Sequence, residues 1–395
     1  MKIEKLIRFN DWWISGKVRA DLLKSYRRPL FKTLMEYLND RQILLITGLR
    51  RVGKTTLLYQ LIQELLNKKV PPSSILYFSF DEELGDIEDL LETYREKILK
   101  CGFEECERVF VFLDEIQKVR NWQNKLKVYY DLYPNIKFVI SGSASIHLQK
   151  QSKESLAGRI YDFILNSLSF TEFLELKGVH IERERLEIYK DKIMPLFFDY
   201  IRKGGFPEII NETSDIKIKN YIRNSVIEKI LYKDLPIEFG LKDIELLYIL
   251  IRMVAENPGM ILNYDKLSQD LHRSKRTIMN YISYLNYAML LRIVYNYRKG
   301  FLVSSRKLRK IYLTNTAISF IFVDNFYSEN FLEKIAENFT IIKADVKNYY
   351  RDSYEIDAII KKGEQIVPIE VKYCLLYTSD AADELDGVDL GGRRI

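Results

Sequence analysis

One octapeptide constrains this chain more than any other feature: Gly48-Leu49-Arg50-Arg51-Val52-Gly53-Lys54-Thr55 fits G-x-x-x-x-G-K-[ST] without a mismatch. Its flanks narrow the choice further. Ile43-Leu44-Leu45-Ile46-Thr47 is a short apolar run, the pattern of a strand buried on both faces. Thr56 to Leu66 then carries apolar residues at helical spacing. Strand, glycine loop and helix thus come in the order a phosphate cradle needs. Glycines let backbone N–H groups curl around phosphates, and the helix N-terminus adds its positive end. The expected nucleotide contacts are Gly48, Arg50, Arg51, Val52, Gly53, Lys54, Thr55 and Thr56, with ATP as the ligand. Lys54 would reach the β- and γ-phosphates, and the Thr55 hydroxyl would coordinate Mg²⁺.

Hydrolysis needs carboxylates, and the run Arg108-Val109-Phe110-Val111-Phe112-Leu113-Asp114-Glu115 supplies two at the end of an apolar strand. Asp114 would hold Mg²⁺ through its water shell, and Glu115 would polarise the attacking water. Lys137-Phe138-Val139-Ile140 is a further strand leading into Ser141-Gly142-Ser143, where a hydroxyl could sense the γ-phosphate; Ser141 and Ser143 are the candidates. Arg159, in Leu156-Ala157-Gly158-Arg159, could bring positive charge to the transition state, in cis or to a neighbouring subunit, or be a plain surface arginine. With Ile75–Phe80 as another core strand, strands alternate with helices, so the fold class is α/β with a parallel, AAA-like sheet.

At 395 residues the chain exceeds one hydrophobic core, and its apolar fraction of 47% suffices for packed domains. The expected division is a P-loop AAA-like ATPase domain over 1–165, a helical lid and connector over 166–240, a winged helix over 241–305, a truncated restriction-endonuclease-like α/β domain over 306–373, and a tail over 374–395. Three cysteines and three histidines make neither a disulfide framework nor a zinc cluster; Cys101 and Cys106 read as free thiols. No apolar run is long enough to span a bilayer, and Met1-Lys2-Ile3-Glu4-Lys5 is not followed by a signal-peptide core. No membrane partner is expected, and the compartment reads as cytoplasmic.

The net charge of +6 is unevenly spread. Leu271 to Val323 contains no Asp or Glu but ten Lys or Arg: Arg273, Lys275, Arg276, Arg292, Arg298, Lys299, Arg306, Lys307, Arg309 and Lys310. A helix from Ile244 to Glu256, a short one around Tyr264–Leu271, and a third capped by Ser274 with apolar positions Ile278, Ile282, Leu285 and Met289 precede an alternating strand, Leu290–Tyr297. A turn at Arg298-Lys299-Gly300 and a return at Phe301-Leu302-Val303 would complete a winged helix. Double-stranded DNA is then the expected partner, with Arg273, Lys275 and Arg276 at the leading end of the major-groove helix and Arg298 and Lys299 on backbone phosphates. A protein-docking role for the same unit is the alternative.

Near the end, Tyr354–Ile360 and Gln365–Lys372 read as strands joined at Lys361-Lys362-Gly363-Glu364. Asp357 followed by Glu370-x-Lys372 is a restriction-endonuclease-like spacing: Asp357 and Glu370 could bind a divalent cation while Lys372 orients water, with Glu337 on the preceding helix completing the set. A nucleotide-gated nuclease and an inactive relic both remain open. After Lys372 the sequence loses lysine altogether, and the stretch from about residue 374 resembles translated read-through rather than native protein.

Taken together, Gly48–Thr56, Leu113-Asp114-Glu115-Ile116-Gln117, Ser141-Gly142-Ser143, Leu156–Arg159, Gly204-Gly205-Phe206-Pro207 and the Asp357…Glu370-x-Lys372 hairpin resemble the prokaryotic AAA-domain ATPases that carry a C-terminal DUF4143 domain, similar to archaeal ATPases. The resemblance runs from about residue 20 to Lys372. It implies an AAA-like ATPase core, a winged helix and a restriction-endonuclease-like end domain, and it raises Arg159 as a functional residue. Leu49 stands where proline is usual in that family. AAA-like ATPases commonly form rings, so an oligomer is compatible with this reading.

Overall fold

The computed structural model describes residues 1–81, 85–143, 156–181, 188–298, 300, 303–304, 307–363 and 365–372. Five short apolar runs form strands β1 (Ile43–Gly48), β2 (Ile75–Ser79), β3 (Val109–Asp114), β4 (Ile136–Ser143) and β5 (Ile160–Ile164). They pair in the order β2-β3-β4-β1-β5, and each neighbouring pair is parallel. Every residue of β1, β2 and β3 is buried, which is why these strands read as unbroken apolar runs rather than as alternation. Because all five run the same way, the loops after β1 and β3 and the end of β4 meet along one edge of the sheet. β4 lies between the strand that precedes the phosphate loop and the strand that ends in Asp114, with Ile46 opposite Ser141 and Leu113 opposite Ile140.

The exposed edge of this sheet, β2, is closed by side chains from the first helices, Ile3–Phe9 and Trp12–Ser15. The indoles of Trp12 and Trp13 donate to the Ile75 carbonyl at 3.1 and 2.8 Å. Asn10 accepts from the Tyr77 N–H at 2.7 Å and donates to its carbonyl at 2.9 Å.

The stretch expected to be a helical connector is helical: Phe170–Leu176 opens on a reciprocal Ser169–Glu172 cap, and Lys190–Lys203, Asp215–Tyr221 and Leu235–Phe239 follow. Helices Ile244–Glu256, Tyr264–Asp270 and Lys275–Tyr287 come next, the last capped by Ser274 as expected. Ile278, Ile282 and Leu285 are buried, but Met289 lies beyond the helix end in a left-handed conformation (φ 56°).

The hairpin differs from its expected form. Strand β6 is Met260–Leu262, β7 is Leu291–Asn296, and the returning strand β8 is Arg309–Leu313. Of the expected return, only Val303 is among the described residues, and it is helical. A boundary at 305/306 therefore cuts between two strands that pair antiparallel. The far edge of β7 would lie open, and it is taken by β9 (Asn348–Arg351) in parallel pairing, followed by β10 (Glu355–Lys362) and β11 (Gln365–Ile369). One six-stranded sheet, β11-β10-β9-β7-β8-β6, thus joins the two segments that the sequence suggested were separate domains. Asn338, on the helix Glu329–Lys343, fastens that helix to the sheet by bonding both the N–H and the carbonyl of Leu313, at 2.9 and 3.0 Å. Among the described residues no helix is long and apolar enough to cross a membrane.

Candidate nucleotide site

The phosphate loop follows β1 directly, and its two glycines serve different ends. At Gly48 (φ 155°) a Cβ would lie 2.2 Å from the Leu165 carbonyl oxygen, so only glycine lets the loop leave the sheet against the end of β5. At Gly53 (φ 98°) a Cβ would meet nothing within 4 Å; there the left-handed turn alone demands glycine, and the space in front of it is open. Lys54 begins the helix Lys54–Asn67 and is 5% exposed. Its ammonium donates to the carbonyls of Gly48 and Leu49 at 3.2 and 3.0 Å. Burial pulls its pKa below the ordinary value, against the fields of Glu115 and Asp114. A buried cation bonded to carbonyls and poised under an open glycine loop is the donor chemistry a polyphosphate requires.

Asp114 is the hub of the opposite wall and is 2% exposed. The Thr55 hydroxyl donates to it at 2.6 Å and the Tyr77 hydroxyl at 3.2 Å; the Ser141 hydroxyl and the Glu115 N–H bond its other oxygen. The residues expected to hold Mg²⁺, Thr55 and Asp114, are therefore in direct contact. Of the two serine candidates, Ser141 is the one on Asp114. Glu115 sits in a left-handed conformation (φ 55°), and its carboxylate accepts from the Gln117 amide. The Gln117 Oε1 is buried with no hydrogen-bond partner among the described residues. Tyr77 had no motif to announce it, since it sits in an apolar strand; Gln117 closed the Leu113–Gln117 motif, but nothing in the sequence gave it a role.

The paired arginines of the loop are tied to later parts of the chain. Arg50 makes a two-pronged bond to Asp234 (2.6 and 2.5 Å), which with the field of Glu115 holds its pKa above the ordinary value. Arg51, left-handed at φ 65°, bonds Glu208 at 3.0 Å, where both side chains are about half exposed.

Comparison with known proteins agrees with this geometry. The uncharacterized protein MJ1637 of Methanocaldococcus jannaschii is 31% identical over 325 residues, 74% of this chain and 67% of that protein. This chain belongs to the MJ1637 family. An uncharacterized protein of Haemophilus influenzae is 27% identical over 386 residues, covering 91% of this chain and 89% of its own. Residues 40–174 match the family model described as AAA domain, so this MJ1637-family protein has a P-loop, AAA-like N-terminal domain. Residues 194–325 match a Domain of unknown function (DUF8612), in the region where DUF4143 was expected. A chain in a structure of Drosophila ORC bound to DNA aligns at a TM-score of 0.28 and 19% identity, over 35% of this chain and 87% of that one, a likeness too slight to bear on function.

Arg159 does not join the site. The Ile43 N–H donates to its carbonyl at 2.8 Å, so it stands at the start of β1, whereas the phosphate loop follows the end of that strand. At about 3.3 Å per residue the strand separates the two by roughly 16 Å. Its guanidinium is engaged by Asp131 at 2.9 and 3.2 Å. A role in cis is thereby ruled out by topology.

The basic segment is less exposed in charge than its sequence implied. Acids from outside it come to meet it: Asp243 to Arg273 (2.7 Å), Asp265 to Lys275 (2.8 Å), Asp345 to Arg292, and Asp352 to Arg298 (3.6 Å). Arg298 does not reach outward from a hairpin tip. Its side chain is 15% exposed, donates to the Arg351 carbonyl at 2.8 Å and lies over the Tyr350 ring. Lys299 lies outside the described residues. Arg276 is exposed and has no ion pair among the described residues.

The endonuclease-like carboxylates do converge, but around a lysine. Lys310, 6% exposed at its side chain, places its ammonium 2.8 Å from Glu337, 2.6 Å from Glu355 and 3.9 Å from Asp357. Tyr312 donates to Glu337 at 2.5 Å, and the Val371 N–H to Asp357 at 2.9 Å. β11 ends at Ile369, so Glu370 and Lys372 follow the strand rather than lying on it. Burial and the field of Asp357 raise the Glu370 pKa. Among the described residues no three His, Cys, Asp or Glu are arranged to hold a metal ion. The divalent cation expected here does not fit: the centre of the cluster already holds an ammonium.

Proposed function

We propose that this protein hydrolyses ATP and uses the nucleotide to govern how its C-terminal half engages double-stranded DNA. The Thr55–Asp114 contact, which links the phosphate loop to the strand on the far side of β4 and is flanked by Glu115, carries the hydrolytic part. Lys54 binds the β- and γ-phosphates, with its carbonyl contacts exchanged for phosphate oxygens. Glu115 accepts the proton of the attacking water, and the Gln117 amide holds the carboxylate that does so. Ser141 fixes the Asp114 carboxylate from the intervening strand. Thr55 and Asp114 would hold Mg²⁺, which when bound neutralises charge on the β- and γ-oxygens.

Coupling runs through the two arginines. Asp234 stands close enough to the loop for its field to reach Lys54, so a polyphosphate arriving there repels Asp234 and competes for Arg50. Arg51–Glu208 is a second tie of the same kind. Both acids lie in the helical connector, which leads straight into the helices before the hairpin.

The order helix, β6, helix, helix, β7, β8 supports a winged-helix reading. On its last helix Arg276, Met279 and Asn280 are exposed, and Arg276 has no ion pair among the described residues, a face suited to a DNA groove. Arg273 and Lys275, paired only at the surface, are free to exchange their carboxylates for phosphates. A second reading, a protein-docking module gated by ATP, draws support from the neutralisation of Arg273, Lys275, Arg292, Arg298 and Lys310. ATP turnover measured with and without duplex DNA at two salt concentrations separates them. DNA stimulation that salt abolishes supports the first; turnover indifferent to DNA sinks it in favour of the second.

A further inference from the structure

Between the helix Ile87–Tyr94 and β3 the chain passes through Cys101-Gly102-Phe103-Glu104-Glu105-Cys106, and the loop folds so that its two sulfurs meet at 3.3 Å. Both thiols are free and half-buried. Packing holds this arrangement. Phe103 is fully buried, against the rings of Tyr94, Tyr129 and Tyr133. The Asn135 amide donates to the carbonyls of Phe103 and Cys106, the latter at 2.7 Å. The Cys106 thiol can also donate to the Gly102 carbonyl at 3.4 Å. The segment that carries the pair is therefore pinned at its middle, Phe103, and at its Cys106 end. A metal half-site is a poorer account, because no third His, Cys, Asp or Glu among the described residues completes a metal-binding group.

We propose that Cys101 and Cys106 form an oxidisable dithiol that takes hydroperoxides and closes to an intramolecular disulfide. The Cys101 thiolate sulfur attacks the terminal oxygen of the hydroperoxide, the O–O bond breaks, and the departing alkoxide takes up a proton to leave as an alcohol (water when the oxidant is hydrogen peroxide). Cys101 is then a sulfenic acid. The Cys106 sulfur attacks it, the S–O bond breaks, and the hydroxide leaves as water with the Cys106 thiol proton. In sum two thiols and one hydroperoxide give a disulfide, an alcohol and water. Burial, then the hydrogen bond shared with Cys101 and the acids Glu105 and Glu104, push the Cys106 thiol up to about 11, which fits it to the second step rather than the first.

This dithiol precedes Val109 at the start of β3, whereas Asp114 ends that strand, so the proposal stands apart from the nucleotide site. The test treats the folded protein with one equivalent of hydrogen peroxide, followed by intact mass and non-reducing peptide mapping. The expected product has lost two hydrogens, links Cys101 to Cys106 and is restored by dithiothreitol. The Cys106→Ser chain should instead stop at a Cys101 sulfenic acid that dimedone traps. Two results overturn the proposal: sulfinic acid accumulating on Cys101 while Cys106 is present, or a disulfide that recruits Cys374 in place of either partner.

Discussion

Two carboxylate clusters sit in this molecule, one in each half, and they differ in what faces them. Asp114 takes its bonds from the neutral hydroxyls of Thr55, Tyr77 and Ser141, none of which cancels its charge. Glu337, Glu355 and Asp357 surround the ammonium of Lys310. The hydroxyls around the first cluster leave its charge in place; the second has brought its own cation. Residue spacing alone shows acids in both places, and only the fold reveals the counter-charge, because Lys310 comes from a strand that no motif links to the acids. The comparison can be broken at either cluster.

The largest effect is expected at the first. Glu115→Gln should leave ATP binding intact while lowering turnover about 100-fold or more, the usual scale of losing a general base. Single-turnover hydrolysis beside fluorescent-nucleotide binding checks this; turnover close to the parent protein's would remove Glu115 from the chemistry.

Lys310→Met tests the second cluster. Removing the ammonium leaves carboxylates crowded and partly buried without a partner, which should cost about 3–5 kcal/mol in urea unfolding. The pH dependence has a definite sign. The acids Glu337 and Glu355 outweigh burial and raise the Lys310 pKa above its ordinary 10.5. Its contribution is therefore fully present below about 10.5 and is lost only as pH climbs through the higher folded value. Parent and variant should differ by a constant amount near neutrality and converge in strong alkali. If the variant instead gains a Mn²⁺ site by calorimetry that the parent lacks, the lysine is a plug in a metal site; if it is as stable as the parent, the ammonium is not the counter-ion argued here.

What could be read beforehand follows the same division. The phosphate loop, Asp114 and the buried parallel strands were legible because each rests on local pattern: a fixed loop spacing and unbroken apolar runs. The order of strands, which brings Ser141 onto Asp114, was not legible: Ser141 was only a candidate at the end of a further strand, with no place in the sheet. The ties Arg50–Asp234 and Arg51–Glu208 span more than 150 residues and leave no periodic trace. The hairpin was misread because Arg298-Lys299-Gly300 looks like a turn, while the chain returns only at Arg309. Counting acids between Leu271 and Val323 misjudged the local charge for a similar reason: the neutralising acids, Asp243, Asp265, Asp345 and Asp352, all lie outside that window.

A smaller effect should come from Asp234→Asn, which keeps the shape of the Arg50 contact but removes the charge that opposes a polyphosphate. ATP affinity should rise about fivefold, the lower end of typical coupling between sites. Hydrogen exchange in residues 222–239 should at the same time become nearly insensitive to nucleotide, since the tie that ATP would release is already weakened. Unchanged affinity with an unchanged exchange response would mean the connector does not sense the loop through this pair.

The smallest effect belongs to Arg159→Ala, and it decides between two meanings of a motif arginine. From its place at the start of β1, turned onto Asp131, Arg159 cannot reach a phosphate bound after Gly48 in the same chain. Within one molecule, turnover should therefore stay within about twofold of the parent, as for a surface ion pair remote from the chemistry. An arginine at the far edge of the sheet is nonetheless free to face a neighbouring subunit. Such a role would betray itself as a loss that grows with protein concentration, and that appears in mixtures with parent protein in proportion to the variant added. Turnover that is flat at every concentration leaves Arg159 as a clasp between β5 and the helix Trp122–Leu132, whatever its motif suggested.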